Sequence, residues 1–256
     1  MKTPIVLAAF GTTTRAMDTY SFIDRICAER FPEHPIYWAF SSRIVKERSS
    51  GRKNDIRMQH PCQVLSELKQ EGYDWAVVQS LHLMCGHEFF RLLEEVRECD
   101  IRTSMGLPLL NQPEDYYEIA DIFIREFSTD DDEALVLVGH GTDHPGWCSY
   151  VALDHICRRK APAGLYVGVV EHGHPTMDSV IRELKRAGYK RARLVPFLLV
   201  AGMHFAKDMS GAGDSWKRAF EAAGISVSLE DRGIGFNRSV IRLFCQHIED
   251  ALEVIP

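Results

Sequence analysis

The chain has 256 residues, of which 45% are apolar and 26% charged, the composition of a globular protein and not of a disordered tail, a collagen or a coiled coil. At ~150 residues per domain, that length corresponds to one or two domains. Thirty basic against 36 acidic side chains leave a net charge of −6. This argues against nucleic acid as the main partner, because phosphate neutralisation needs a basic face.

The first element is the run IVLAAF at 5–10. One Lys precedes it and GTTT follows it, so it reads as a buried strand entering a loop and not as a secretory leader. Further strands are expected at 35–40, 75–81, 134–140, 165–171 and 192–200, each short, dense in Val, Ile, Leu and aromatics, and bounded by Gly, Pro or charge. Amphipathic helices are expected between them, over 19–30, 63–73, 113–127 and 176–189. Strands alternating with helices imply βαβ units and parallel sheets covered on both faces, so the fold class is α/β. No run approaches the ~18 apolar residues of a membrane span, so no membrane partner is expected and the cytoplasm is the expected compartment. The seven cysteines contain no CxxC pair and read as free thiols in a reducing environment.

An internal repeat runs through the pattern. At an offset of 116, Leu68, Gly72, Tyr73, Gly86 and Phe89 match Leu184, Gly188, Tyr189, Gly202 and Phe205, and Val64 and Leu65 match Val180 and Ile181. At an offset of 130, FGT at 10–12 answers HGT at 140–142. Two similar α/β halves are therefore expected, 1–125 and 126–256, facing each other across a cleft, with the acidic STDDDE at 128–133 as the linker.

Ligands of parallel α/β sheets gather outside the carboxyl ends of the strands. Three strands of the second half run into His140, Glu171 and His204. Two imidazoles and a carboxylate suit a borderline divalent ion such as cobalt, nickel, iron or zinc. Each has an ordinary alternative as well: His140 as a loop or cap histidine, Glu171 as a solvated carboxylate, His204 as a structural histidine. Glu88 holds in the first half the place that His204 holds in the second. It is a candidate proton acceptor, or simply a carboxylate complementing a helix N-terminus. The window 43–57 carries six basic residues against two acids. Arg43, Arg52, Lys53 and Arg57 form either a solvated surface or a rim that attracts an acidic small molecule. GxxxxGK[ST], GxGxxG and GxSxG are absent from the sequence, so neither a P-loop nucleotide nor a nicotinamide or flavin cofactor is expected.

The segments FGTTTRA (10–16), AFSSRIV (39–45), VQSLHLMCGHEF (78–89), GHGT (139–142), VVEHGHPTMDSVI (169–181) and LVPFLLVAGMHFAKDMSG (194–211) together resemble the anaerobic sirohydrochlorin cobaltochelatases of the CbiK type, members of the class II chelatases. The resemblance spans essentially the whole chain in order. It implies two flavodoxin-like halves and ATP-independent insertion of Co²⁺ into the tetrapyrrole sirohydrochlorin during cobalamin biosynthesis. It also implies metal binding by His140, Glu171 and His204, with Glu88 acting beside them and His140 counted among the catalytic groups. Fe²⁺ or Ni²⁺ as the metal, and a carrier that holds metal or tetrapyrrole without turnover, are the alternatives. The macrocycle's carboxylates would give the basic window 43–57 its purpose, and a homo-oligomer is expected. One departure concerns Glu171. The family pattern continues with Gly, an aromatic and Pro, whereas here His-Gly-His-Pro follows, which leaves His172 and His174 as alternative third ligands.

Overall fold

In the computed structural model, which describes residues 2–11, 16–41, 59–127, 132–161 and 164–254, the described strands form two four-stranded parallel sheets. The first contains β1 (Ile5–Ala9), β2 (Ile36–Phe40), β3 (Trp75–Ser80) and β4 (Arg102–Gly106) in the order β2-β1-β3-β4. The second contains β5 (Glu133–Gly139), β6 (Leu165–Val169), β7 (Arg191–Pro196) and β8 (Ser226–Leu229) in the order β6-β5-β7-β8. The two orders are the same once the halves are aligned. The helices are α1 (Ala16–Arg30), α2 (Pro61–Gln70), α3 (His87–Arg97), α4 (Pro113–Glu126), α5 (Cys148–Lys160), α6 (Met177–Ala187), α7 (Met203–Ser210), α8 (Trp216–Ala222) and α9 (Arg238–Glu253).

All six expected strands are present. β1 and β5 are buried along their whole length, which is why their sequences are continuous apolar runs without alternation. Strands β4 and β8 were not expected. Both are sheet edges, and their sequences RTSMG and SVSL alternate between exposed and more buried positions, so they lack the apolar density that marks a central strand.

The repeat has a structural basis. Helices α2 and α6 end alike: Tyr73 N–H donates to the Leu68 carbonyl at 3.1 Å, and Tyr189 N–H to the Leu184 carbonyl at 3.0 Å. Gly72 and Gly188 supply the left-handed backbone these stops require, with φ of 90° and 87°. Matching positions also fill matching cores. Val64, Leu68, Ala76 and Val78 pack on one face of the first sheet, and Val180, Leu184, Ala192 and Leu194 on the corresponding face of the second.

The division into compact units differs from the expected boundary at 125/126. Unit 1 comprises Met1–Asn111 with Arg238–Pro256, and unit 2 comprises Gln112–Asn237. Each half thus gives up the helix that follows its last strand. Helix α4 packs against α5, and its Phe123 ring meets Phe197. Helix α9 covers α1, β3 and β4, burying Val240, Ile241, Phe244 and Ile248. Ser104 Oγ donates to the Ala251 carbonyl at 2.7 Å, His247 Nδ1 stands 3.0 Å from the Leu107 carbonyl, and Arg30 and Glu249 form an ion pair. Of the expected linker, 128–131 lie outside the described residues, while Glu133 opens β5, buried against Arg193 at 3.0 Å.

Candidate metal centre at the strand ends of the second unit

Strand β5 lies between β6 and β7, so the loops that leave these three strands share one end of the sheet. His140 directly follows β5, and Glu171 comes two residues after β6. Beyond the strands proper, the two chains stay bonded. Val170 N–H donates to the Gly139 carbonyl at 3.0 Å, Glu171 N–H to the His140 carbonyl at 2.9 Å, and Thr142 N–H to the His172 carbonyl at 2.8 Å. This clamp brings His140 Nε2 to 3.7 Å from Glu171 Oε1, with both side chains more than half exposed.

Two features hold the His140 backbone in place. Tyr150 of α5 lays its ring over Gly139, where an added Cβ would fall 2.4 Å from Cε1, and its hydroxyl hydrogen-bonds the Gly141 backbone. Burial pushes the Tyr150 phenol up to about 12, so it remains a neutral strut. Gly141 itself has φ of 90°, and a Cβ there would meet the His172 carbonyl at 2.4 Å, so glycine is required on both conformational and steric grounds. Inspection of the sequence for ligands missed Tyr150. The signal was available in the repeat, since Tyr20 stands at the same offset of 130 and its hydroxyl bonds the Gly11 backbone in the same way. The two loops differ at the central residue, where His140 corresponds to Phe10, half exposed in unit 1. The imidazole is therefore specific to unit 2.

His204 is not at a strand end. Strand β7 stops at Pro196, and His204 is the second residue of α7, which is N-capped by Gly202; its side chain is outside what is described. Among the described residues no three His, Cys, Asp or Glu side chains stand together as a metal-binding group; of the three expected ligands, the structure brings His140 and Glu171 together. Of the alternative third ligands, His174 sets its ring edge-on to Trp147 at 5.9 Å, and exposed His172 makes its bond to the loop through its backbone. His144 serves the turn that leads into α5, its Nδ1 accepting the Gly146 N–H at 2.9 Å.

Glu88 occupies in α3 the place of His204 in α7, since Gly86 caps α3 as Gly202 caps α7. Its carboxylate pairs with Arg91 Nη1 at 3.2 Å and stands in the first turn of the helix, where negative charge is favoured. Nearby His82 is structural. Its Nδ1 lies 2.9 Å from Ser80 Oγ, its Nε2 is sealed from solvent, and burial pushes it down to about 4. Arg43, Arg52, Lys53 and Arg57 lie outside the described residues. No helix among the described residues is long and apolar enough to cross a membrane.

Comparison with known proteins adds an independent line. The cobalt chelatase (CbiK) family profile matches residues 3–253. A sirohydrochlorin cobaltochelatase of Salmonella typhimurium is 32% identical over 99% of this chain and 98% of its own. The sirohydrochlorin cobaltochelatase CbiKC of Nitratidesulfovibrio vulgaris is 33% identical over 99% of this chain and 92% of its own. Among solved structures, SirB from Bacillus subtilis with Fe³⁺ superimposes with a TM-score of 0.71 at 17% identity, covering 99% of this chain and 96% of that one. At that identity the match speaks for the fold, two parallel sheets flanked by helices.

Proposed function

The chain belongs to the cobalt chelatase (CbiK) family, and on that footing we propose that it is a sirohydrochlorin cobaltochelatase, a lyase that inserts Co²⁺ into a tetrapyrrole for cobalamin synthesis without ATP. One observation carries the reading to particular residues: His140 Nε2 and Glu171 Oε1 stand 3.7 Å apart at adjacent strand ends, in a chain aligned end to end with cobaltochelatases.

The chemistry asks two things of the protein. A free macrocycle exchanges two pyrrolic N–H protons for one divalent ion, so the ion must be held and partly stripped of water, and the protons must be accepted. We assign the holding to His140, Glu171 and His204, an imidazole and carboxylate set suited to Co²⁺ and open to Fe²⁺ and Ni²⁺. His140 and Glu171 are exposed, so an ion can reach them without prior opening of the loop. Glu88 is assigned the role of proton acceptor, with Arg91 orienting its carboxylate. Arg43, Arg52, Lys53 and Arg57, in the basic window of an otherwise acidic chain, are assigned to the carboxylates of the macrocycle.

The experiment is a metallation assay. The purified protein is mixed with a large excess of sirohydrochlorin and Co²⁺, Fe²⁺ or Ni²⁺ in turn, without nucleotide, and absorbance is followed. Many turnovers, fastest with Co²⁺, are expected. A single stoichiometric burst would instead make the protein a carrier, and a faster rate with Fe²⁺ or Ni²⁺ would change the metal assignment.

A further inference from the structure

Unit 1 contains a second chemically distinctive pair, remote in sequence from the ligands assigned above. Cys62 lies in the first turn of α2, and Cys99 two residues beyond the end of α3. Their sulfurs stand 2.8 Å apart, inside van der Waals contact and approaching the ~2.05 Å of a disulfide bond. The Cys62 thiol donates to the Glu95 carbonyl at 3.1 Å, and Cys99 Sγ is 3.2 Å from the same oxygen. That shared acceptor fixes both side chains toward each other. An open groove of about 550 Å³ leads to them, lined by both sulfur residues with Leu65, Lys69, Gln70 and Glu98, and both cysteines are half-buried, not sealed.

The other close thiol pair is a built-in contrast. Cys27 of α1 and Cys245 of α9 are hydrogen-bonded to one another, but they are 0% and 3% exposed. A reagent from solution cannot reach them without unfolding α9 from α1.

We propose that Cys62 and Cys99 form a thiol–disulfide exchange site that reacts with low-molecular-weight disulfides and closes into a reversible covalent staple between α2 and the turn after α3. Cys62 begins the reaction. The other thiol is disfavoured as the first nucleophile, because burial, the neighbouring sulfur and the carboxylates of Glu95 and Glu98 push Cys99 up to about 12. The Cys62 sulfur gives up its proton to solvent and attacks one sulfur of a disulfide R–S–S–R. A mixed disulfide forms and one thiolate RS⁻ leaves. Cys99 then loses its proton to solvent and attacks Cys62 Sγ, forming the Cys62–Cys99 bond and expelling the second thiolate. Two protein thiols are oxidised and one small disulfide is reduced to two thiols. Because the second sulfur already waits within 2.8 Å, the mixed disulfide is short-lived, the usual consequence of pre-positioning.

The test uses the full chain, reduced, freed of reductant and incubated with oxidised glutathione, then alkylated and digested with trypsin. The peptide MQHPCQVLSELK, which carries Cys62, should be recovered joined to ECDIR, which carries Cys99, two hydrogens lighter than their sum, with Cys27 and Cys245 alkylated only after denaturation. Cys99→Ser should trap a stable glutathione adduct on Cys62, at least tenfold more abundant than in the wild type, and Cys62→Ser should abolish the cross-link. Recovery of both peptides fully alkylated would overturn the proposal, as would a persistent wild-type adduct on Cys62 or a link from either cysteine to a different partner. None of these readouts depends on chelatase activity.

Discussion

His140 Nε2 lies 3.7 Å from Glu171 Oε1 although the whole of α5 and β6 separates the two residues along the chain. The contact follows from sheet topology: β5 and β6 are neighbours, and the backbone pairing continues past both strands to Thr142 and His172. Even a fully charged contact this exposed contributes only ~0–1 kcal/mol to stability, so the fold does not depend on it and either side chain is available to a ligand.

That geometry ranks the candidate third ligands. Glu171→Gln should weaken Co²⁺ binding by more than the ~10–100-fold typical of losing an outer-shell partner, while melting within about 2 °C of the wild type. His172→Ala and His174→Ala should change affinity less than threefold. Calorimetric titration with Co²⁺ reads all three, and a large loss in either histidine variant with a normal Glu171→Gln would transfer the assignment.

Glu88→Gln preserves shape but cannot take up a proton. Turnover should fall by ~10²–10⁴, the range of a general base, with Co²⁺ affinity unchanged. A normal rate would reduce Glu88 to a helix-end charge paired with Arg91. A lost affinity would make it a ligand instead.

His82 sets a pH dependence of stability. It is neutral in both folded and unfolded chains above its ordinary 6.5, whereas the folded protein refuses its proton down to about 4. Between these values the unfolded chain binds the extra proton, so stability falls as pH drops, by up to about 3 kcal/mol, and this loss levels off below pH 4. His82→Gln should remove one proton from the slope of unfolding free energy against pH in that window. Parallel wild-type and variant curves from chemical denaturation would show that His82 is not the group responsible.

Helix α9 should be indispensable to unit 1. Val240, Ile241, Leu243, Phe244 and Ile248 are buried in it. At ~1.5–3 kcal/mol each they rival the ~5–15 kcal/mol net stability of a domain. A chain ending at Asn237 should lose hydrogen-exchange protection throughout β1–β4 while β5–β8 stay protected. Unchanged protection in β1–β4 would contradict the division at Asn111 and Arg238.

The central strands, the α/β class and the duplication were legible in the sequence because burial on both faces writes itself as dense apolar runs, and because the Leu-x₃-Gly-Tyr helix stop recurs at a fixed offset. The edge strands β4 and β8 were not, since half-exposed strands of four or five residues carry no comparable signal. The exchange of α4 and α9 between halves was also hidden: an amphipathic helix shows that it has an apolar face, not which sheet that face will cover. At the site, His140 and Glu171 could be found from their positions at strand ends. Tyr150 was passed over because a buried aromatic on a helix looks like core until the loop it braces is seen, and His204 was expected at the end of β7 although Pro196 stops that strand and a helix intervenes.

The central claim is that a metal ion held at His140 is the ion delivered to the tetrapyrrole. Steady-state Co²⁺ insertion into excess sirohydrochlorin by His140→Ala, set beside the wild type at equal folded concentration, tests it most directly. A rate at least ~100-fold below wild type, with the melting temperature preserved, is the expected result. Turnover within a few-fold of wild type would mean that the strand-end site of the second unit is not where the metal is held.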